Sequence, residues 1–539
     1  MRYETLQEIY ANSIRNYAER PLFAMLDRES MTYAEFDARV EYVRGMLLGA
    51  GLSGGDKVAI LSSNMPNWNV CYFAIVTSGM VAVPIMPDFS ESEIERLLIH
   101  SEARALMVSD RQYSRVPKHV LEGMNIVIRT KNLAVLNRTS NATGTPHTPH
   151  PDDTATIIYT SGTTSSPKGV MLSHRNLAMQ VCMNNELFPV REDDVFMSVL
   201  PLSHTYECSI GMLLPFAQGA SVVYVDRPPT ASNLLPALAR IRPTVMLVVP
   251  LIIEKIYKNR LLSKVETSHF KRFFYSKPFF RKMIHRIAGR KLYKAFGGHL
   301  RFFGIGGTRL DIETERFLLE GKFPYAIGYG LTETAPLIAG AIPGKTRLSS
   351  TGMLLNGIEA RLENVNTEGD GELVVKSPCT MSGYYKSPEL TAEVLSADGW
   401  FRTKDICRFD EDGYLYIKGR SGNMILGPNG ENIYPEDIEN VINSHFLVTD
   451  SLVTEDRGKL VALVKFNRGE LEKRYHNLKD DLASTMETIK ADIIKYVNSK
   501  VNKFSRIAKI HEQHQDFEKT PSQKIKRYLY TNKRKHSEQ

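Results

Sequence analysis

Cysteine is scarce in this 539-residue sequence, and no apolar run in it is long. The five cysteines are scattered and form no CxxC pair: Cys71, Cys182, Cys208, Cys379 and Cys407. That distribution argues against a disulfide framework or a zinc site and fits reduced thiols. The longest apolar stretch, residues 73–86, is broken by polar residues, glycine and proline. It is therefore too short to span a bilayer.

The N-terminus has mixed charge and lacks the apolar run of a signal peptide. We therefore expect a cytoplasmic protein that is soluble, or attached at most to the inner face of a membrane. The net charge of +8 fits anionic partners such as nucleotides, CoA or acidic lipid, but does not choose among them. No nucleic acid is expected as a partner.

The length favours two or more domains, and the first of them shows alternating helix and strand patterns. Residues 33–48 carry apolar side chains at helical spacing, whereas 57–61 and 81–85 are typical of short buried strands. This alternation predicts an α/β domain with a largely parallel sheet. Further strand candidates are 157–159, 221–225, 244–249 and 299–305.

The pattern changes near residue 351. Residues 371–376 and 413–419 alternate apolar and polar side chains between glycines, which indicates antiparallel hairpins. The segment that follows is predicted to form a separate small domain. We place the large domain at residues 1–419, a hinge at 420–422 and the small domain at 423–539.

The strongest candidate for chemistry is the stretch Tyr159-Thr-Ser-Gly-Thr-Thr-Ser-Ser-Pro-Lys-Gly169. Small hydroxyl residues and glycine after a strand let the backbone approach a phosphate closely, and Lys168 adds a positive charge. It is not a Walker loop, because the GK[ST] ending is absent. Taken alone, the stretch is better explained as a Ser/Thr-rich surface turn.

Further motifs follow this stretch in order. They are Leu200-Pro-Leu-Ser-His-Thr-Tyr-Glu207, Phe303-Gly-Ile-Gly-Gly-Thr308, Gly328-Tyr-Gly-Leu-Thr-Glu-Thr334, Trp400-Phe-Arg-Thr-Lys-Asp405 and Lys519-Thr-Pro-Ser-Gln-Lys-Ile-Lys-Arg527. Each is weak alone. Together, over nearly the whole chain, they resemble the acyl-adenylate-forming (AMP-binding) superfamily of acyl-CoA synthetases, firefly luciferase and peptide-synthetase adenylation domains. Within this superfamily, the sequence resembles the long-chain fatty acid–CoA ligases.

The resemblance implies an α/β fold. It has a large N-terminal adenylate-forming domain with parallel sheets and a β-barrel-like subdomain, and a small mobile α+β C-terminal domain. It also implies the reaction. A carboxylic acid and ATP give an acyl-adenylate, and CoA then takes the acyl group. ATP, Mg²⁺ and CoA are the implied cofactors and co-substrate.

The first implied site is the phosphate loop, formed by Thr160, Ser161, Gly162, Thr163, Thr164 and Lys168. Ser165 stands in this loop where the family usually has glycine. His204 resembles the residue that orients the substrate carboxylate at the mouth of the acyl pocket. A lone histidine is more often structural, and a base is not needed because a carboxylate is already ionised at pH 7.

The next two motifs look like the family's adenine-binding turn and its nucleotide and metal motif. Gly306, Gly307 and Thr308 form the turn, and glycine permits close backbone approach to a flat base. The second motif supplies Tyr329 for stacking on the base, Gly330 beside it, and the pair Thr332 and Glu333. Glu333 is a hard oxygen ligand suited to Mg²⁺, with Thr160 as the second implied protein ligand.

The remaining implied site residues lie around and beyond the hinge. Asp405 resembles the aspartate that binds both ribose hydroxyls, although Lys404 replaces the usual glycine before it. Arg420 is similar to an arginine that contacts ribose or phosphate. Gly422 stands at the hinge position, where the family usually has Asp or Lys, and can absorb large φ/ψ changes.

Two residues of the small domain complete the implied site. Gly430 lies in the loop that lines the pantetheine tunnel in CoA-forming members. Lys524 resembles the adenylation lysine, and Gln523 replaces the glycine common before it. Considered as a lone lysine in a basic tail, Lys524 would more often be a solvated charge.

The basic segment 255–301 suggests where the acid comes from. It resembles an extra helical region of long-chain fatty acid ligases, and we expect a medium- or long-chain fatty acid as substrate. Two interpretations of the segment stay open with equal weight: a solvated amphipathic helix pair, or a peripheral membrane anchor into which Phe273, Phe274, Phe279 and Phe280 insert.

Two alternatives to a CoA ligase also remain. The acyl group could pass to an acyl-carrier protein, an acidic partner that a basic surface would suit. The four departures from the family pattern would also fit a non-catalytic acyl- or nucleotide-binding protein. We rank this last, because the charged candidates Lys168, Glu333, Asp405, Arg420 and Lys524 are all present.

Overall fold

The computed structural model describes residues 2–160, 167–225, 231–265, 268–426, 432–475, 482–520 and 524–531. Its strands in chain order are β1 (Pro21–Met25), β2 (Met31–Thr32), β3 (Lys57–Leu61), β4 (Val81–Pro84), β5 (Ala105–Val108), β6 (Ile126–Arg129), β7 (Val135–Arg138), β8 (Thr154–Thr160), β9 (Lys168–Ser173), β10 (Val195–Ser198), β11 (Ser221–Tyr224), β12 (Val245–Val248), β13 (Phe302–Ile305), β14 (Tyr325–Gly330), β15 (Leu337–Ala341), β16 (Met353–Leu354), β17 (Glu359–Glu363), β18 (Gly371–Lys376), β19 (Gly383–Tyr384), β20 (Phe401–Phe409), β21 (Leu415–Arg420), β22 (Ile425–Leu426), β23 (Asn432–Ile433), β24 (Val448–Asp456), β25 (Lys459–Phe466) and β26 (Lys509–Glu512).

The α-helices are α1 (Leu6–Tyr17), α2 (Tyr33–Gly49), α3 (Pro66–Val76), α4 (Glu91–His100), α5 (Asp110–Tyr113), α6 (Lys118–Glu122), α7 (His174–Leu187), α8 (Leu214–Ala217), α9 (Ala231–Ile241), α10 (Pro250–Tyr257), α11 (Ser263–Val265), α12 (His269–Ser276), α13 (Pro278–Ala295), α14 (Ile312–Glu320), α15 (Pro388–Val394), α16 (Pro435–Asn443), α17 (Arg468–Tyr475), α18 (Leu482–Asn498) and α19 (Tyr528–Thr531). Two π-helical stretches, Glu207–Leu213 and Lys258–Leu262, continue into α8 and α11.

Two large, mostly parallel sheets organise the large domain and contain the strands β1 to β16 together with β19. Over the described residues, one sheet has the order β19-β9-β8-β4-β3-β5-β6-β7 and the other β16-β15-β14-β13-β12-β10-β11-β1-β2. The strands from β1 through β11, β10, β12 and β13 to β14 are all parallel, and antiparallel strands flank them. The α/β domain with largely parallel sheets that the sequence predicts is confirmed.

The core lies where helices pack between the two sheets. All residues of α3 after Pro66 are buried, as expected for a helix that is covered on every side. The rings of Phe73 on α3 and Phe216 on α8 are 4.5 Å apart. Local signals set the helix starts: Thr32 and Glu35 form a capping box at the start of α2. The predicted helix 33–48 and the strand candidates named above are therefore confirmed to within a few residues.

An antiparallel sheet follows the parallel sheets. Strands β17-β18-β20-β21 pair in that order, which confirms the predicted hairpins. The expected barrel-like closure does not occur among the residues that the structure describes, because β17 and β21 remain at opposite edges of an open sheet. The sheet instead ends at Arg420, the last residue of β21 and the first residue of the predicted hinge.

The small C-terminal part is α+β. A three-stranded sheet, β24-β25-β26, packs on α16 and α18 within the described ranges. Its core includes Ile438, Ile442, Ile493 and Val497, all fully buried. The division at 420–422 itself stays a prediction. Within the described ranges we find no helix with both the length and the apolar composition that a membrane span requires.

Candidate active site

A cavity of about 2590 Å³ opens where the parallel sheet, the antiparallel sheet and the small domain meet. It gathers every predicted site residue that the structure describes: Thr160, Lys168, His204, Gly306, Gly307, Thr308, Tyr329, Gly330, Thr332, Glu333, Asp405, Arg420 and Lys524. Ser161, Gly162, Thr163, Thr164, Ser165, Gly430 and Gln523 lie outside the described residues. The residues that the sequence motifs select thus share one site, although their individual roles stay predictions.

The parallel sheet explains why these residues meet. Strands β14, β13, β12 and β10 lie side by side. His204 follows β10, Gly306 follows β13 and Gly330 ends β14. The carboxyl ends of parallel strands share one edge, and ligands of open α/β sheets bind outside that edge. The motifs are far apart in sequence but adjacent in space for this reason.

Glu333 is held by a tyrosine that the sequence motifs did not identify. Tyr384 Oη donates a hydrogen bond of 2.9 Å to Glu333 Oε1, and Lys168 Nζ lies 5.8 Å from the centre of the Tyr384 ring. Burial, and then the charge of Glu333, raise the pKa of Tyr384, so the phenol stays protonated as a donor. Tyr384 therefore connects the phosphate-loop lysine with the candidate metal ligand. The only signal for it in the sequence is an aromatic pair, Tyr384 and Tyr385, between the two predicted hairpin segments.

Asp405 lies at the centre of a second group. Its Oδ2 accepts a 2.7 Å hydrogen bond from Tyr329 Oη, and its Oδ1 lies 2.9 Å from Arg420 Nε. The carboxylate is buried, and its charge is the largest cause that raises the pKa of Arg420. Asp405 and Arg420 are register partners on β20 and β21, so the strand pairing itself positions them.

Two backbone positions show what the site demands of glycine. A Cβ at Gly330 would lie 1.9 Å from the carbonyl oxygen of Pro336, so only glycine fits there. Lys404 has φ of 60°, in the left-handed region that glycine occupies without cost. The departure at Lys404 therefore carries backbone strain of about 1–2 kcal/mol, but leaves Asp405 in place.

His204 is a neutral donor in this arrangement. Burial, with the nearby charge of Lys524, lowers its pKa to about 4. Its Nδ1 accepts a 3.2 Å hydrogen bond from the backbone N–H of Tyr206, which leaves the proton on Nε2. A neutral imidazole with an Nε2–H group can donate to a carboxylate oxygen. It is not placed as a base that would take a proton from the acid.

Lys524 reaches the same cavity from the small domain. Desolvation and the positive charge of Arg420 lower its pKa, whereas Asp405 and Glu333 raise it. Lys524 lines this cavity together with Arg420, Asp405 and Glu333 of the large domain. The backbone N–H of Thr520 donates to the Lys524 carbonyl at 2.8 Å.

Polar contacts across the two domains accompany this position. Arg309 pairs with Asp437, and Lys258 donates to the carbonyl oxygen of Asn443. Lys500 Nζ lies 3.2 Å from Glu313 Oε1. All three contacts join the large domain to the small domain that carries Lys524.

Tyr206 lies between the large cavity and a small apolar one. The small cavity has about 40 Å³ and is lined by side chains such as Phe188, Ile210, Leu247 and Phe302. Tyr206, Ile327, Gly328 and Leu337 line both cavities. Room of this size holds only a few water molecules.

A buried carboxyl group beside His204 was not predicted as functional. Glu207 begins the π-helix Glu207–Leu213 and is 1% exposed. Burial raises its pKa to about 8, with a hydrogen bond to Ser198 opposing the shift. Ser198 in turn accepts from Asn64, whose side chain also bonds to Leu200 and Leu202. This chain of contacts supports the loop that carries His204, and no spacing in the sequence could have revealed it.

Known proteins similar to this chain are named as long-chain fatty acid or acyl-CoA ligases. Long-chain-fatty-acid–CoA ligase FadD15 of Mycobacterium bovis is 29% identical over 93% of this chain and 90% of its own length. Long chain acyl-CoA synthetase 1 of Arabidopsis thaliana is 29% identical over 80% of this chain and 73% of its own.

Solved structures share the fold. An anthranilate CoA ligase, AuaEII, in complex with anthranoyl-AMP has a TM-score of 0.78 at 20% identity, over 97% of this chain and 96% of that chain. ATP-bound MatB from Rhodopseudomonas palustris has a TM-score of 0.77 at 23% identity, over 98% and 99%. Likenesses at this identity establish the fold alone.

Family models match both parts of the chain. Residues 423–535 match the C-terminal domain of AMP-binding enzymes. Residues 10–385, well over half of the chain, match the AMP-binding enzyme model itself. This chain belongs to the AMP-binding enzyme family.

Proposed function

We propose that the chain is an ATP-dependent fatty acid–CoA ligase, acting on medium- or long-chain acids. The acid and ATP give an acyl-adenylate and diphosphate, and CoA then gives acyl-CoA and AMP. One observation carries the proposal: Lys524 of the small domain faces Asp405, Arg420 and Glu333 of the large domain in one cavity. The long-chain ligases among its relatives support a fatty acid as the substrate.

In the first half-reaction the carboxylate oxygen attacks the α-phosphorus of ATP, and diphosphate leaves. The protein has little covalent work, so positioning and charge stabilisation dominate. His204 donates from Nε2 to the carboxylate, and Asp405 accepts from the ribose hydroxyls. Lys524 and Lys168 supply positive charge where negative charge accumulates on the phosphates.

The donor set around the phosphate position fits Mg²⁺. Glu333 offers a carboxylate and Thr160 a hydroxyl, both hard oxygen donors that line the cavity. Among the described residues no group of three or more His, Cys, Asp or Glu side chains could hold a metal. Mg²⁺ that arrives with a nucleotide needs only one or two carboxylates. When bound, it would neutralise charge on the phosphates.

The second half-reaction needs a different arrangement. A thiol with an ordinary pKa of about 8.5 must lose its proton as it attacks the acyl-adenylate. Lys524 is no longer needed and occupies the face from which a thiol would approach. We propose that the small domain turns about residues 420–422 and brings the Gly430 loop to the cavity. A Cβ at Gly422 would meet no described atom within 4 Å, so packing does not require glycine at this position.

The same proposal covers the partners. The acid dissolves in lipid, so the chain meets it by peripheral contact with a membrane through the segment 255–301. CoA is the acceptor, and an acyl-carrier protein is the competing acceptor.

Exchange of labelled diphosphate into ATP tests the first half-reaction without any acceptor. Exchange that depends on a fatty acid supports the proposal. Absence of exchange with every acid from acetate to oleate would leave only a non-catalytic binding protein. Supplying CoA or a carrier protein to the same mixture then separates the acceptors, because only the correct one yields a thioester.

A further inference from the structure

Large apolar side chains are concentrated on the surface of the α12–α13 hairpin, residues 269–295. Of the fifteen that are exposed among the described residues, five lie between 270 and 287. They are Phe270 (70% exposed), Phe273 (59%), Phe279 (75%), Met283 (48%) and Ile287 (51%). Single exposed apolar residues are ordinary, whereas a contiguous group marks an interaction surface.

The aromatic rings of the hairpin form one connected cluster. Phe274 contacts Phe270 at 4.6 Å and Phe280 at 4.9 Å between ring centres, and Phe280 contacts Phe279 at 5.5 Å. Phe274 and Phe280 are only partly exposed. They therefore support the outer rings from beneath, and Phe270, Phe273 and Phe279 are the rings presented outward.

The charge of the hairpin has one sign. Residues 269–295 contain nine lysines and arginines and no aspartate or glutamate. Lys277 Nζ lies 5.0 Å from the centre of the Phe273 ring, so charge and aromatic surface are interleaved. A cluster of apolar side chains ringed by basic ones is complementary to a partner that has an apolar interior and a negatively charged surface.

The opposite face of the hairpin is fixed to the protein. Tyr257 Oη and Tyr275 Oη are 2.9 Å apart, and Tyr275 Oη lies 2.7 Å from His285 Nε2. His285 Nδ1 lies 2.7 Å from Glu320 Oε2, and Arg281 pairs with the same carboxylate at 2.8 Å. The aromatic cluster is thus displayed by a braced element. It is not the exposed core of a loosely packed one.

We infer that the α12–α13 hairpin docks on an anionic lipid bilayer, with Phe270, Phe273 and Phe279 inserted among the acyl chains. The inference rests on the proposed function, because a fatty acid dissolved in the bilayer is the substrate that such docking would deliver. Ala288, Lys291, Leu292 and Ala295 of α13 line the large cavity. Docking therefore brings the wall of the active site to the lipid surface.

Flotation of the full-length chain with vesicles tests this directly and needs no turnover. The chain should float with phosphatidylcholine vesicles that contain phosphatidylglycerol, and not with phosphatidylcholine alone. Raising the salt from about 0.1 M to about 1 M shortens the Debye length from about 10 Å to about 3 Å, and should release it. Equal binding to neutral vesicles would overturn the role of the basic residues.

Matched variants locate the surface. The triple change Phe270→Ser, Phe273→Ser and Phe279→Ser should lower binding at least about tenfold, because each ring loses its apolar transfer into lipid. Phe504→Ser, which changes a ring of the small domain that is 52% exposed, should leave binding unchanged. Lys277, Lys282 and Lys294 changed to Gln should also weaken binding, by at least about tenfold. The same change at the exposed Lys131, Lys376 and Lys509 should not.

Three results would overturn the inference. The first is that the triple phenylalanine variant floats as strongly as the unchanged chain. The second is that the two sets of lysine changes weaken binding equally. The third is that light scattering shows a dimer, which only the phenylalanine variant abolishes. The last would assign the face to a second copy of the chain. A chain that floats as expected but activates no acid would leave the docking surface standing and remove the proposed function alone.

Discussion

Asp405 and Arg420 face each other across the paired strands β20 and β21, with Arg420 Nε 2.9 Å from Asp405 Oδ1. The same carboxylate accepts a hydrogen bond from the hydroxyl group of Tyr329. Arg420 is the last residue before the 3₁₀ helix Ser421–Asn423, at the start of the predicted hinge.

Asp405→Asn should raise the KM for ATP by about tenfold or more, because a hydrogen bond to a charged group contributes about 1.5–3 kcal/mol. Steady-state kinetics at saturating acid measures the change. Asp370→Asn is the matched control: Asp370 is also buried, and pairs with Arg408 Nε at 2.7 Å, but lies outside the cavity. An equal KM change in both variants would mean that Asp405 acts only through the fold.

Lys524→Ala should slow diphosphate exchange by a factor of about 10²–10³, the loss typical of one preorganised group that stabilises developing charge. Thioester formation from a supplied acyl-adenylate and CoA should stay near its normal rate. Lys519→Ala is the control, because Lys519 lies in the same segment but pairs with Asp450 at 2.9 Å. Equal slowing of both half-reactions would contradict a role confined to adenylation.

The motifs predict the residues of the site, but not the side chains that position them. Local patterns suffice for β3, β8 and β12, because four to seven apolar or alternating residues between turns describe a buried strand. Gly330 and Asp405 follow from the motifs because backbone clearance and a carboxylate are needed at fixed positions. Which strand neighbours which depends on contacts between distant residues, and that information is absent from local pattern.

Side chains that act through tertiary contacts could not be identified from the sequence. Tyr384 meets Glu333 only because β19 pairs with β9 beside the cavity. Glu207 is buried at the start of a π-helical stretch, and neither feature has a periodic signal in the sequence. For the hairpin, sequence named Phe273, Phe274, Phe279 and Phe280 together, whereas only packing separates the outward rings from the supporting ones.

His204→Gln should raise the KM for the acid by about tenfold and leave the shape of the pH–rate profile unchanged between pH 6 and 8. The pKa of about 4 keeps the imidazole neutral throughout that range. The substitution therefore removes a neutral hydrogen-bond donor and not a titrating base. His174→Gln is the control, since burial also lowers the pKa of His174 to about 4 but it lies outside the cavity. Loss of an ionisation near pH 6–7 in the His204 variant alone would mean general-base catalysis.

Glu207→Gln should stabilise the protein more at pH 8 than at pH 6. The pKa of the Glu207 carboxyl is about 8 in the folded protein, against an ordinary value of 4.5. Between pH 4.5 and pH 8 the folded state therefore binds one proton more than the unfolded state. The unchanged chain therefore loses stability as pH rises through that window, by about 1.4 kcal/mol for each pH unit, and the neutral amide does not. Denaturant unfolding at both pH values measures the difference, and the same difference at pH 6 and pH 8 would contradict a protonated, buried Glu207.

Thioester formation across a series of acids tests the central claim most directly. With ATP, Mg²⁺ and CoA, the chain should convert acid to acyl-CoA and release AMP and diphosphate in equal amounts. The kcat/KM should rise from acetate through octanoate to palmitate and oleate. Accumulation of acyl-adenylate without acyl-CoA, or a kcat/KM that is highest for acetate, would contradict a fatty acid–CoA ligase.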